Sequence, residues 1–238
     1  MFPRKLFIIA VLYSLSSVWA LNTLHHAQYS FYPQPFLKNR TQIQVGGHSL
    51  LQGDAALPFA WIYGLGNHAE IAFKYELSSQ EQDFNKKNLA NTMDLGFRFK
   101  ISDIETIQLD VMLGLGKDDA PGLILGYDIY HGLTKSFQVI YQAKASFFDG
   151  LNPSSEIALI EVGLYPRIRF GQSFHIITGL SYSNSLTSPI DYQAFDIAPG
   201  FELKLAHGGS VQFYVDMGVA GKSQQEPFLY HLAYIHNF

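Results

Sequence analysis

From Thr41 to Phe238, apolar and polar residues alternate with a period of two. A chain patterned that way forms strands whose two faces meet different surroundings. MDLGFRFKI puts Met93, Leu95, Phe97, Phe99 and Ile101 on one face and Asp94, Gly96, Arg98 and Lys100 on the other. VQFYVDMGV sets Val211, Phe213, Val215, Met217 and Val219 against Gln212, Tyr214, Asp216 and Gly218, and FDIAPGFELKL repeats the pattern from Phe195 to Leu205. About twelve such segments recur, near 41–49, 56–65, 68–77, 91–101, 106–116, 122–132, 136–147, 156–170, 173–184, 194–206, 210–220 and 228–238. Closed bacterial barrels have an even strand count. Their tilted strands need about 9–11 residues to cross a bilayer, against about 5–6 in soluble domains, and the segments here fall in the longer class.

The connections alternate too. GLGNHA, ISDIE, GLTKS, FGQS and AHGG are short, whereas SSQEQDFNKKNLAN, KDDAP, FDGLNPSSE, SLTSPIDYQ and KSQQEP are longer and more polar. Short periplasmic turns and longer outer loops are the habit of outer-membrane barrels. If the first strand starts on the periplasmic side, an even number of crossings leaves both ends there.

The first twenty residues read as a secretory signal peptide. Arg4 and Lys5 precede the apolar run LFIIAVLYSL, and small residues in SSVWA suit cleavage near Ala20. That run is about half the roughly 20 residues a spanning helix requires. Residues 21–40, with Pro33 and Pro35, fit no strand and read as a periplasmic leader. The barrel is therefore expected over 41–238. No cysteine is present, which excludes disulfides, thiolate metal sites, a Cys nucleophile and an N-terminal lipid-bearing Cys. A net charge of -4 without a block of Lys or Arg carries no nucleic-acid footprint.

Alternation alone fits two inverted architectures: a soluble sandwich or barrel with its apolar face inward, and a membrane barrel with that face outward. Three features favour the second. The apolar faces have nearly equal, membrane-spanning lengths. Aromatics gather toward segment ends, as with Phe59 and Trp61, Phe137 and Phe147, Phe170 and Phe174, and Tyr230 and Phe238, which suits girdles at two interfaces. The opposite faces carry Gly96, Gly114, Gly126, Gly163, Gly179, Gly200 and Gly218 among charges of both signs, as a crowded polar lumen requires. The fold class is an all-β, transmembrane, antiparallel up-and-down barrel of about twelve strands, with ten to fourteen compatible with the segment boundaries.

The segment FLYHLAYIHNF places Tyr230, Leu232, Tyr234 and a final Phe238 on one face. It resembles the C-terminal assembly strand of Gram-negative outer-membrane barrels, departing from it at His236. That resemblance implies an outer-membrane location, lipid and lipopolysaccharide around the barrel, and the barrel-assembly machinery as a partner. LPFAWIYGLGNHAEIAFKYEL, residues 57–77, is similar to a strand–turn–strand unit of transporter-like barrels of the phenol-degradation MetA family, with Tyr63, Gly64, Leu65, Glu70, Ile71 and Phe73 in the matching places. No long N-terminal hatch of the fatty-acid-transport kind accompanies it.

The chemistry-bearing residues fall on the polar parity: Glu70, Lys74, Glu76, Asp94, Arg98, Lys100, Asp110, Asp128, Lys144, Glu161, Arg167, Arg169, Asp196, Glu202, Lys204 and Asp216. In a channel, such residues set the field along the pore; alternatively, acids and bases on neighbouring strands pair and fill the interior. A twelve-stranded barrel lies between filled eight-stranded and open sixteen-stranded kinds. Hydrolytic chemistry needs a base within hydrogen-bond reach of a hydroxyl. His131, His175, His207 and His231 are scattered, and SYSNS, with Ser181 and Ser183, carries no hydrolase motif. His25 with His26 lack further acidic or His ligands nearby; Asp118 with Asp119 could hold a cation on an outer loop, though turn chemistry explains them more cheaply. The expectation is a non-enzymatic barrel without cofactor or metal: first a narrow passive channel or transporter for a small solute, second a closed structural or surface-interaction barrel; an outer-membrane hydrolase comes third.

Overall fold

The computed structural model describes residues 40–50, 55–83, 86–114, 121–148, 157–186, 193–221 and 229–238. The signal peptide, almost all of the leader, the KDDAP loop apart from Pro121, and the KSQQEP loop lie outside the described residues. Within them the chain is a closed antiparallel barrel of twelve strands. They are β1 (Thr41–Leu50), β2 (Ala55–Leu65), β3 (Ala69–Asp83), β4 (Lys86–Lys100), β5 (Glu105–Gly114), β6 (Gly122–Gly132), β7 (Phe137–Phe148) and β8 (Ile157–Phe170). The last four are β9 (Phe174–Ile177 and Leu180–Ser185), β10 (Gln193–Ile197 and Gly200–Lys204), β11 (Gly209–Gly221) and β12 (Leu229–Asn237). Each strand pairs with its sequence neighbours, and β12 returns to pair with β1 from Gln42↔Asn237 to Leu50↔Leu229.

Closure is finished at the short-turn end by Phe238, whose N–H donates to the Thr41 carbonyl at 2.9 Å. Inside that seam Gln42 Nε2 donates to Asn237 Oδ1 at 2.8 Å. The seam leaves no unpaired edge among these strands, as a bilayer demands of a sheet.

The two faces sort as the period of two requires. Along β6 buried and exposed residues alternate from Gly122 to Asp128, and β12 does the same from Leu229 to Ile235. Outward residues are apolar and exposed, among them Leu57, Leu95, Leu125, Val162 and Leu232, while the inward Glu70, Asp94, Asp110, Asp128, Glu161, Glu202 and Asp216 are buried. A barrel that is greasy outside and charged inside is the membrane architecture, not its soluble inversion. At the short-turn end the outer surface carries an aromatic chain across β8 to β11. Phe170, Phe174, Phe201 and Phe213 follow one another with ring centroids 6.5, 6.1 and 5.7 Å apart. Trp61 stacks on Tyr63 at 6.1 Å near the same rim.

Two features depart from the sequence reading. The stretch SSQEQDFNKKNLAN, expected as a loop, is mostly paired strand: β3 and β4 continue past the apolar alternation through Gln80↔Asn88 and Glu81↔Lys87. The sequence of that extension is mostly polar, so period-two contrast vanishes although backbone pairing persists. Conversely, β9 and β10 are each interrupted once, at 178–179 and 198–199. Pro166 and Pro199 supply no N–H there, yet the wall stays closed. Thr178 N–H donates to Pro166 O at 3.1 Å, Gly179 and Ala198 exchange bonds of 2.9 and 2.8 Å, and Val215 N–H donates to Pro199 O at 3.0 Å.

Candidate functional site: the lumen wall

The interior of the barrel is the concave, polar surface the fold creates. On the β3 to β7 side the register builds a continuous network. Glu70 and Arg98 are direct cross-strand partners, and Arg98 Nε donates to Glu70 Oε2 at 2.6 Å while its Nη1 donates to Tyr130 Oη at 2.8 Å. The Tyr130 hydroxyl lies 3.3 Å from Asp128 Oδ2, and Gln142 Nε2 donates to Asp128 Oδ1 at 2.8 Å.

Higher on the same wall, Lys74 stands opposite Asp94 in register but pairs with Asp110 of β5, its Nζ 2.6 Å from Oδ2. The intervening position is Gly96, where a Cβ would lie 2.4 Å from Asp110 Oδ1. The glycine clears the gap through which the carboxylate reaches a lysine two strands away. Gln108 Nε2 donates to the same Oδ2 at 2.5 Å.

The β8 to β12 side is built differently. Arg167 and Glu202 form an ion pair near the short-turn end, with Glu202 beside His175 in register. Above them Tyr165 lies flat on the wall, because Gly163 and Gly179 leave room for its ring: a Cβ on Gly163 would be 2.5 Å from Tyr165 Cε2, and one on Gly179 3.1 Å from Cδ1. Tyr165, Ile140, Ile177 and Tyr214 form a buried apolar cluster, with Tyr130 and Ala198 packed against it. Tyr214 also stacks on His231, ring centroids 4.2 Å apart.

Of the residues expected to line the lumen, Glu70, Asp94, Asp110, Asp128, Glu161, Glu202 and Asp216 are buried. The structure brings Glu70 with Arg98, Lys74 with Asp110, and Arg167 with Glu202. Asp128 is held by Gln142 and Tyr130 rather than by a cation of its own row. Lys144 and Glu161 are cross-strand partners in register, and Lys204 is exposed at the short-turn end. Asp94 and Asp216 are buried, each with one carboxylate oxygen lacking a hydrogen-bond partner among the described residues. Tyr230, Leu232, Tyr234 and Phe238 are exposed on the outer face.

Charges on the polar parity do not point to this apolar belt. Its signal was available there: Ile140, Tyr165, Ile177 and Tyr214 are large residues on the parity that elsewhere carries Asp, Glu, Lys and Gly. Among the histidines, His131 is exposed on the outer face. His175 and Ser181 share one wall but are six residues apart, about 20 Å along a strand, which puts no base from that histidine within reach of the hydroxyl.

No protein-family model and no curated protein matches the sequence. Solved structures do match the fold. The β domain of the Bordetella autotransporter BrkA superposes with a TM-score of 0.61 at 12% identity, covering 84% of this chain and 99% of that one. The translocator domain of the autotransporter NalP from Neisseria meningitidis gives a TM-score of 0.57 at 11% identity over 94% and 97%. The KdgM porin gives 0.54 at 12% identity over 83% and 99%. With the apolar exterior and charged interior, these likenesses define the class: the chain has the fold of the outer-membrane β-barrels. Within that class, the similarity runs to translocator domains and to a porin alike.

Proposed function

We propose that the protein is a narrow passive channel for small solutes in the outer membrane of a Gram-negative-type bacterium, with the short turns and both barrel ends on the periplasmic side. The observation that carries this reading is the lumen itself: a charged, hydrogen-bonded wall inside an apolar exterior, as a wet path through a bilayer requires. The similarity of fold to the KdgM porin supports it. Glu70, Lys74, Asp94, Arg98, Asp110, Asp128, Lys144, Glu161, Arg167, Glu202, Lys204 and Asp216 form the lining, and the belt of Ile140, Tyr165, Ile177 and Tyr214 is the constriction. Tyr230, Leu232, Tyr234 and Phe238 act on the outer face as the signal to the barrel-assembly machinery, with lipid and lipopolysaccharide around them.

A second reading is favoured by one observation, the packing of that belt together with the ion pairs: a lumen closed by its own side chains, serving a structural or surface-interaction role. Single-channel recording on refolded protein in a planar bilayer separates the two, with folding verified by heat-modifiable gel migration. The channel reading expects discrete conductance steps that grow in Tyr214→Ala and an ion preference that shifts in Lys144→Gln. A folded wild-type barrel that never conducts overturns the channel reading.

A further inference from the structure

The wall from β7 to β11 carries a cluster that the networks above leave out. Glu161 of β8, Asp196 of β10 and Asp216 of β11 all project into the lumen and are all more than nine-tenths buried. The register brings them together: Asp196 partners Gly218, two residues from Asp216, and also Ser181, whose other partner Gly163 lies two residues from Glu161. Each retains an oxygen without a hydrogen-bond partner among the described residues: Glu161 Oε2, Asp196 Oδ2 and Asp216 Oδ1. Glu70, Asp110 and Glu202 are ion-paired, so three carboxylates with open oxygens on one wall stand out.

A second observation comes from outside the acids. Gln142 of β7 shares a register row with Gly163, Ser181 and Asp196. It is 7% exposed, and its Oε1 also lacks a partner among the described residues. With Gln142 Nε2 given to Asp128, the unfilled atoms of these four side chains are all acceptors, carbonyl as well as carboxylate, and what they lack is a donor.

The backbone is shaped around them. The β10–β11 ladder shifts register at Phe195/Asp196, where Asp196 partners Gly218 and Phe195 partners Ala220; such a bulge re-aims a side chain. Asp196 Oδ1 would lie 3.6 Å from a Cβ on Gly218, and that exposed glycine leaves the outer side of the cluster uncovered. On the short-turn side stand the Tyr165 and Tyr214 rings, the Tyr165 hydroxyl 3.3 Å from Glu161 Oε1. Among the described residues no three acidic or histidine side chains gather closely enough to hold a metal ion. Open carboxylate and carbonyl acceptors beside the Tyr165 and Tyr214 rings match a cation that carries N–H donors on an alkyl body able to rest on aromatic faces. Lys144, opposite Glu161 in register, sets one basic group beside three acidic ones on this wall.

We infer that this wall is a binding site for a small alkyldiammonium ion, the solute class of the channel proposed above, on which the transport half of the inference rests. The test is calorimetric titration of the refolded full-length barrel in detergent with butane-1,4-diammonium, with succinate as the dianionic control, and it needs no conduction. Saturable binding of the diammonium but not succinate is expected, weakened at least tenfold in Asp196→Asn and in Asp216→Asn. Because both substitutions are near-isosteric and relieve like-charge repulsion, the folded fraction on heat-modifiable gels should be unchanged or higher. Absence of saturable binding to the folded wild type overturns the site, as does binding that both variants retain. Conductance tests the channel separately: a barrel that binds the diammonium and never conducts keeps the site and refutes the channel, and a conducting barrel that does not bind does the reverse.

Discussion

Replacing Leu95 with arginine tests which side of this barrel faces lipid. Leu95 lies on the outer face of β4, 41% exposed and flanked in register by Phe73 and Val111. It is five residues from Lys100 at the short-turn end of β4. At about 3.3 Å per residue and a tilt of about 40°, that places it about 13 Å above the rim, near the middle of an apolar band about 25 Å tall. An arginine at the midplane of a membrane barrel costs about 2–4 kcal/mol, whereas one at the interface costs about 0–1 kcal/mol. Leu65, the last residue of β2 and 50% exposed, is the interface control. Urea titration of each variant refolded in lipid vesicles, read by the fluorescence of Trp61 on the same outer face, measures both. Leu95→Arg should lower the folding constant about 30- to 700-fold, since about 1.4 kcal/mol is a factor of ten, and Leu65→Arg by less than about tenfold. An outward residue in water tolerates such a change within about 0.5 kcal/mol. Equal, small effects at the two positions would therefore refute the bilayer-facing assignment.

Arg98 is the hub of the β3 to β7 network, so Arg98→Met strands a buried Glu70 and should cost about 3 kcal/mol in the same titration, with Glu70→Gln in the double variant recovering most of the loss. Gly163→Ala would drive a methyl into the Tyr165 ring; an overpacking cost of about 1–3 kcal/mol is expected, abolished when Tyr165→Ala is added. If Gly163→Ala is neutral alone, the ring does not lie over that glycine.

How far the sequence could be read follows from which forces are local. The side of the sheet that each residue faces depends only on its neighbours along the strand, so twelve strands, their two faces and the inward projection of Glu70, Lys74 or Asp216 were legible in the alternation. Alternation carries no signal where its contrast is lost: the polar extension of β3 and β4 reads as a loop, and the breaks in β9 and β10 leave no trace because the pattern runs through them. The tertiary structure alone decided who meets whom. Lys74 faces Asp94 in register yet bonds Asp110, because Gly96 leaves a gap between two strands. Tyr165 and Tyr214 share one belt, and Glu161, Asp196 and Asp216 one wall, because of strand tilt, a bulge at Asp196 and closure of β12 on β1. Those are long-range quantities, fixed by the whole circuit of the barrel. A two-residue period specifies a surface, and only closure of that surface specifies its lumen.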